Sequence, residues 1–273
     1  MILGAKVRKH DLYDMLRLDP KILEFHFSDS DLKLELTENF SQRLMVHCYE
    51  YFDRKLLDIV SFNETNQIHS QENSLELIQK AIDKTVSLNS NFTGIPSIIV
   101  HPGGYSLTQI TKDQQQQMKD GITDAIKKLD TKGVNFYLEN MPPYAWFFGG
   151  RWNCNAFLSA EEMINFSKQT GLKVCYDLCH SQLFCNVNDL NLIDELKKIE
   201  KYAEHFHLSD ADGDDGEGLQ FGEGTMNFEE IIPILNKYES KSFAIEVWKG
   251  HENGGLGFKT FLDRIIEHGL IVN

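Results

Sequence analysis

Eight short apolar runs, separated by polar or helically patterned stretches, set the tightest limit on how this chain can fold. The runs are Ile2–Val7, Ile22–Phe27, Leu44–Cys48, Ser97–His101, Asn135–Asn140, Lys173–Asp177, His205–Asp210 and Ser242–Trp248. Most are continuously apolar and rich in β-branched or aromatic residues, the pattern of strands buried on both faces. Pro102-Gly103-Gly104 and Pro142-Pro143 stop two of them abruptly, because proline and glycine interrupt a β run.

Between the runs lie helix signals. Leu75, Leu77, Ile78, Ala81, Ile82 and Val86 recur at helical spacing within Gln71–Leu88, the mark of one apolar face. Ser159 and Glu162 have the spacing of a capping box for a helix running to Thr170. Further helices are expected over His10–Leu18, Thr111–Leu129, Asn191–Tyr202 and Phe258–His268, with another opening at Met226 or Asn227. The polar segment Ser28–Phe40 is a poor helix, and a polar loop follows the third run. Strands alternating with helices predict a parallel sheet, and eight strands close it. The expectation is α/β, a single (β/α)8 TIM barrel, with 1–273 as one domain.

Composition narrows the function. The net charge of −14 repels phosphate backbones and anionic membrane surfaces and disfavours nucleic acid as a partner, whereas small anions held by a metal remain compatible. Met1–His10 has no apolar leader segment and no run reaches membrane-spanning length, which reads as cytoplasmic. The five cysteines are odd in number and lack a CxxC pair, arguing against disulfides and a structural zinc knuckle.

Loops after barrel strands share one rim, so residues at successive strand ends converge. Strands three to eight carry His47, His101, Glu139, Asp177 with His180, His207 and Glu246 at or near their ends. Buried carboxylates are costly unless paired or bound to a cation, and this mixture of carboxylates and imidazoles suits Zn, Mn, Co or Mg. His26 and His205 are read as alternating out of this pattern and structural. Tyr144–Trp152 is aromatic with a Gly149-Gly150 hinge; it is read either as a lid or as packing on the rim or at a subunit contact, which leaves a homo-oligomer open. Trp146, Arg151, Trp248 and Lys249, with His101 and His180, are candidate substrate contacts. Asp210 and the acidic loop after it are read as solvated turn residues. Gly222-Glu223-Gly224 lacks the surroundings of a dinucleotide-binding turn.

The motifs Ile2-Leu3-Gly4-Ala5, Val46-His47, Val100-His101-Pro102-Gly103, Leu138-Glu139-Asn140, Asp177-Leu178-Cys179-His180, His207-Leu208-Ser209-Asp210, Gly222-Glu223-Gly224 and Ile245-Glu246 resemble, in this order, the xylose-isomerase-like barrels. That group includes sugar and sugar-phosphate isomerases and epimerases and the endonuclease IV family. The resemblance implies a four-ligand metal site of Glu139, Asp177, His207 and Glu246. It also implies that the two glutamates move protons at the carbon next to a carbonyl. In the endonuclease-like branch it implies a second metal on His47, His101 and Glu139, and a third held partly by His180. The loop 212–220 contains no histidine for that third site, and the arginine common in the isomerases is missing there too. Ile22–Leu32 looks faintly like a stretch of the sialic-acid-synthase barrels.

The expectation is a divalent-metal-dependent isomerase or epimerase of a sugar, sugar phosphate or related polyol. The alternatives are a two-metal phosphoesterase and a non-catalytic sugar-binding barrel.

Overall fold

The computed structural model describes residues 1–62 and 67–273. Eight strands form the barrel: β1 (Ile2–Val7), β2 (Ile22–His26), β3 (Arg43–His47), β4 (Thr93–Val100), β5 (Asn135–Glu139), β6 (Lys173–Asp177), β7 (Ala203–Leu208) and β8 (Ser242–Ile245). Each pairs in parallel with its neighbours in chain order, and β8 pairs with β1, so the sheet closes. The expected (β/α)8 TIM barrel is the fold.

Around it lie α1 (Leu12–Leu16), α2 (Gln71–Leu88), α3 (Lys112–Ile126), α4 (Ala160–Thr170), α5 (Leu178–Asn188), α6 (Leu192–Ile199), α7 (Phe228–Leu235) and α8 (Glu252–Glu267). After β2 only a 3-10 turn, Asp29–Lys33, forms, as expected from a segment without an apolar stripe. Ser70 and Thr111 cap α2 and α3 by accepting from Asn73 and Gln114 backbone N–H groups, satisfying donors that a helix start leaves free. At α4 the capping box is only half formed. Ser159 accepts from Glu162 N, but the Glu162 side chain accepts from Leu158 N and pairs with Lys119.

The strands bury two different surfaces. Leu3, Ala5, Val7, Leu23 and Phe25 pack outward with the helices in the main core, while Ile22, Met45, Ile99 and Cys175 form a separate layer. Strand alternation produces this split, because successive side chains point to opposite faces. Each large apolar side chain so buried contributes about 1.5–3 kcal/mol.

Three segments depart from the sequence reading. A helix, α5, starts directly after Asp177, because Asp177 caps it by accepting from His180 N at 2.8 Å. Its buried residues include Leu178, Cys179, His180 and Ser181, so it lacks the one-sided stripe by which a helix is recognised. The aromatic stretch is a hairpin of Tyr144–Phe147 and Gly150–Cys154, with Tyr105–Ser106 as a third strand. Phe148 and Gly149 reverse it with φ of 53° and 76°, the left-handed pair of a tight hairpin turn. The last helix, Glu252–Glu267, carries a break of left-handed backbone at Asn253, Gly254 and Gly255, so its regular turns start just past the break, close to the expected Phe258, and only the lead-in departs. The polar loop after β3 passes through 63–66, outside the described residues, and its described part holds a short hairpin of Tyr51–Phe52 and Lys55–Leu56. Among the described residues no helix is long and apolar enough to cross a membrane.

Candidate metal centre

Strand register builds the site. Lys6 lies beside Glu24, His26 beside His47, Cys175 beside Glu139, and Asp177 beside His207. Glu24, His47 and Asp177 share the inward face with Ile22, Met45 and Cys175 of the apolar layer, two residues earlier on their strands, so there the barrel interior changes from apolar to ionisable within one step of the pleat. The expected ligand set does meet. Donor atoms of Glu139, Asp177, His207 and Glu246 all lie within 4.8 Å of one another.

Their chemistry asks for a cation. His207 Nδ1 is 2.8 Å from Glu139 Oε1, 2.8 Å from Glu246 Oε2 and 3.9 Å from Asp177 Oδ2. One ring nitrogen carries at most one proton and cannot satisfy two carboxylates. Glu246 Oε2 is buried and has no hydrogen-bond partner. Removing a carboxylate from water costs several kcal/mol unless a charge of opposite sign compensates it, and three carboxylate oxygens with one imidazole are a sound donor set for Zn, Mn, Co or Mg. The residues present therefore fit a divalent ion.

A second convergence lies on the other oxygen of Glu139. His47 Nε2 is 3.1 Å and His101 Nε2 3.2 Å from Glu139 Oε2. His47 Nδ1 sits 3.0 Å from the Cys48 carbonyl, which can only accept, so Nδ1 carries a proton and Nε2 is the nitrogen that faces Glu139. Both ring nitrogens of His101 are buried without a hydrogen-bond partner. His180 belongs to a third corner. Its Nδ1 donates to Asn140 O at 2.8 Å, and its Nε2 is 3.5 Å from Glu217 Oε1.

Electrostatics divide the carboxylates. Burial resists ionisation of Glu139, yet His207 and His101 hold its carboxyl well below the usual range. Glu246 is held low against burial by Lys6 and His207. At Asp177 burial prevails over His180, and with repulsion from Glu139 and Glu246 it pushes the carboxyl up to about 6. Burial also opposes charge on His207, but Cys175 and the carboxylates of Glu139, Glu24 and Glu246 raise this imidazole well above its ordinary value.

Residues 12–267 match the family described as xylose isomerase-like TIM barrel. The chain belongs to that family. A curated relative, the uncharacterized protein MJ1311 of Methanocaldococcus jannaschii, is 24% identical over 231 residues, covering 80% of this chain and 73% of the relative. Among solved structures, a D-tagatose 3-epimerase-like protein superposes with TM-score 0.69 at 20% identity, covering 98% of this chain and 97% of the other. Endonuclease IV from Thermus thermophilus gives 0.62 at 17% identity, covering 98% and 100%. The IOLI protein with a bound zinc atom gives 0.66 at 14% identity, covering 98% of each.

Two residues of this xylose isomerase-like barrel escaped the sequence reading. Lys6 is buried and bonded to Glu246 Oε1, and Glu24, fully buried, sits between His205 and His207. Projecting Ile22, Glu24 and His26 onto one face of β2 would have found Glu24, since residues two apart on a strand share a face. The same rule corrects His205. It shares the inward face of His207 and forms the floor of the site.

The rim residues have other partners. Arg151 pairs with Asp214 at 2.8 Å and Asp215 at 3.2 Å and stacks on Tyr144, and Trp146 Nε1 donates to Asp215 at 3.1 Å. The aromatic hairpin is thus tied to the turn after β7. Trp248 and Lys249 are exposed on the loop after β8, where Trp248 N donates to Gly218 O. Asp210 is buried, contrary to its reading as a solvated turn residue. Its carboxylate accepts from the backbone N–H groups of Ala211, Gly222, Gly224 and Met226. That accounts for Gly222-Glu223-Gly224, since a Cβ on Gly224 would lie 2.3 Å from Ala211 O and 2.5 Å from Asp210 Oδ1.

Proposed function

We propose that this chain is a divalent-metal-dependent isomerase or epimerase acting on a sugar, sugar phosphate or related polyol, with 1–273 as one barrel domain. One observation carries the reading: Glu139 and Glu246 approach the same ring nitrogen of His207, each at 2.8 Å. Two glutamates thereby flank the position that Asp177 and His207 complete. A bound divalent ion would polarise a substrate carbonyl and its neighbouring hydroxyl and lower the cost of the enediolate.

The chain's own groups divide the remaining work. Glu246, with 31% of its side chain exposed, is the carboxylate open to the barrel mouth, and Lys6 fixes its Oε1. It is our candidate for moving a proton on and off the carbon next to the carbonyl. Glu139, wholly enclosed, is the candidate on the opposite side. The rings of Trp146 and Trp248, 60% and 77% exposed, would offer faces to the C–H surface of a sugar. The fold shared with a D-tagatose 3-epimerase-like protein supports this choice of substrate class.

A second reading, a two-metal hydrolase of phosphate esters, draws on His47 and His101 converging on Glu139 Oε2. Metal analysis of the purified protein together with incubation of ketohexoses in deuterated water separates the two. One ion per chain and deuterium entering at the carbon beside the carbonyl is the expected result. Two or three ions, phosphodiester cleavage and no exchange would replace the first reading by the second.

A further inference from the structure

We propose that Glu24 is a positioning residue for the metal centre: it fixes His207 so that Nδ1, and not Nε2, is the nitrogen offered to the ion. The inference rests on the metal reading above. It starts from a chain of contacts beneath the four ligands. Ser242 Oγ lies 2.7 Å from His205 Nδ1, and His205 Nε2 lies 2.9 Å from Glu24 Oε2. Glu24 Oε1 in turn lies 3.1 Å from His207 Nε2.

Hydrogen-bond valence decides the protons. An ionised carboxylate only accepts, and Glu24 has no exposed surface through which water could serve it instead. Both imidazoles must then present N–H to it, from Nε2 of His205 and Nε2 of His207. His205 Nδ1 is left to accept from the Ser242 hydroxyl, which can donate. His207 Nδ1 then offers its lone pair to an ion placed between Glu139 and Glu246, where the ion competes with a second proton on that nitrogen. A neutral ring with the other tautomer would turn a lone pair on Glu24 and an N–H into the ligand position. Lys6, 3.9 Å from Glu24 Oε1, adds a positive charge that favours the ionised carboxylate.

The barrel makes room for this floor. A Cβ on Gly4 would crowd Phe243 O at 3.1 Å and reach ordinary contact with His205 Cε1 at 3.7 Å, so the glycine lets β1 pass close to β8 beside the ring beneath the site. Carboxylates that accept from the second nitrogen of a ligating histidine hold its tautomer and orientation, and losing one costs about 10–100-fold in metal affinity.

The test begins with Zn2+ uptake by the wild-type chain, followed by competition titration of Glu24→Leu and Glu24→Gln. Glu24→Leu removes the acceptor, and we expect it to bind Zn2+ about 10–100-fold more weakly. Glu24→Gln keeps one accepting oxygen for His207 and is expected to fall between the two. Nitrogen-15 spectra of the Zn2+-loaded wild type should show His207 bound through Nδ1 with its proton on Nε2, a signature that charge or packing alone would not produce. A folded Glu24→Leu protein that binds as tightly as wild type overturns the role of Glu24. So does coordination through Nε2, which is read on the wild type even where the variant fails to fold. A wild-type chain that takes up no Zn2+ overturns the metal reading itself.

Discussion

At His207 the local problem is one of protons against cations. Three carboxylates and an imidazole share a space that either a divalent ion or bound protons can neutralise, and the buried carboxylates raise the imidazole's affinity for a proton. Because the carboxylates around it raise its affinity for a proton, an ion loading at His207 competes with protons, and affinity therefore weakens as the pH falls. Calorimetric titration with Zn2+ in two buffers of different ionisation enthalpy should give different apparent enthalpies, and identical values would contradict the assignment. Glu139→Gln and Glu246→Gln should each abolish turnover with an unchanged circular dichroism spectrum. Retained activity in either removes that residue's acid/base role. His47→Ala discriminates between the readings: metal content should stay at one ion per chain in an isomerase and fall by one in a two-metal hydrolase.

Among the elements, the turn after β7 shows how a loop is held in register over the site. Asp210 gathers four backbone N–H groups from Ala211 to Met226, placing the 216–219 strand, and with it Glu217, against His180. Asp210→Ala leaves buried donors unsatisfied, and we expect a loss of about 3 kcal/mol, read as a lower urea midpoint; an unchanged midpoint would show that the turn holds without it. The sequence made this segment look like an acidic, solvated loop because composition carries no record of which carboxylate turns inward. The hairpin after β5 was hidden for a related reason. Tyr144–Cys154 alternates poorly, and its pairing depends on Phe148 and Gly149 adopting left-handed backbone.

For the molecule as a whole, ligand binding and stability are linked. An ion that binds only the folded chain, supplied at a hundred times its dissociation constant, adds about 2.7 kcal/mol. In a chain of this size that corresponds to roughly 5–10 °C in midpoint. Thermal unfolding with excess Zn2+ should exceed that with a chelator by this margin, and coincident curves would speak against a folded-state site. The sequence by itself determined the barrel and its rim: eight apolar runs alternating with helical segments admit few other closed arrangements, and strand ends bearing His47, His101, Glu139, Asp177, His207 and Glu246 had to meet if the sheet closed. Only the tertiary structure decided that Glu24 meets both His205 and His207, that Lys6 bonds to Glu246, and that Arg151 is taken up by Asp214 and Asp215. Strand periodicity says which face a side chain shares but not which strand lies across the barrel from it, and these contacts, made across the barrel interior or between loops far apart in sequence, come into being when the sheet closes and the loops fold over its rim.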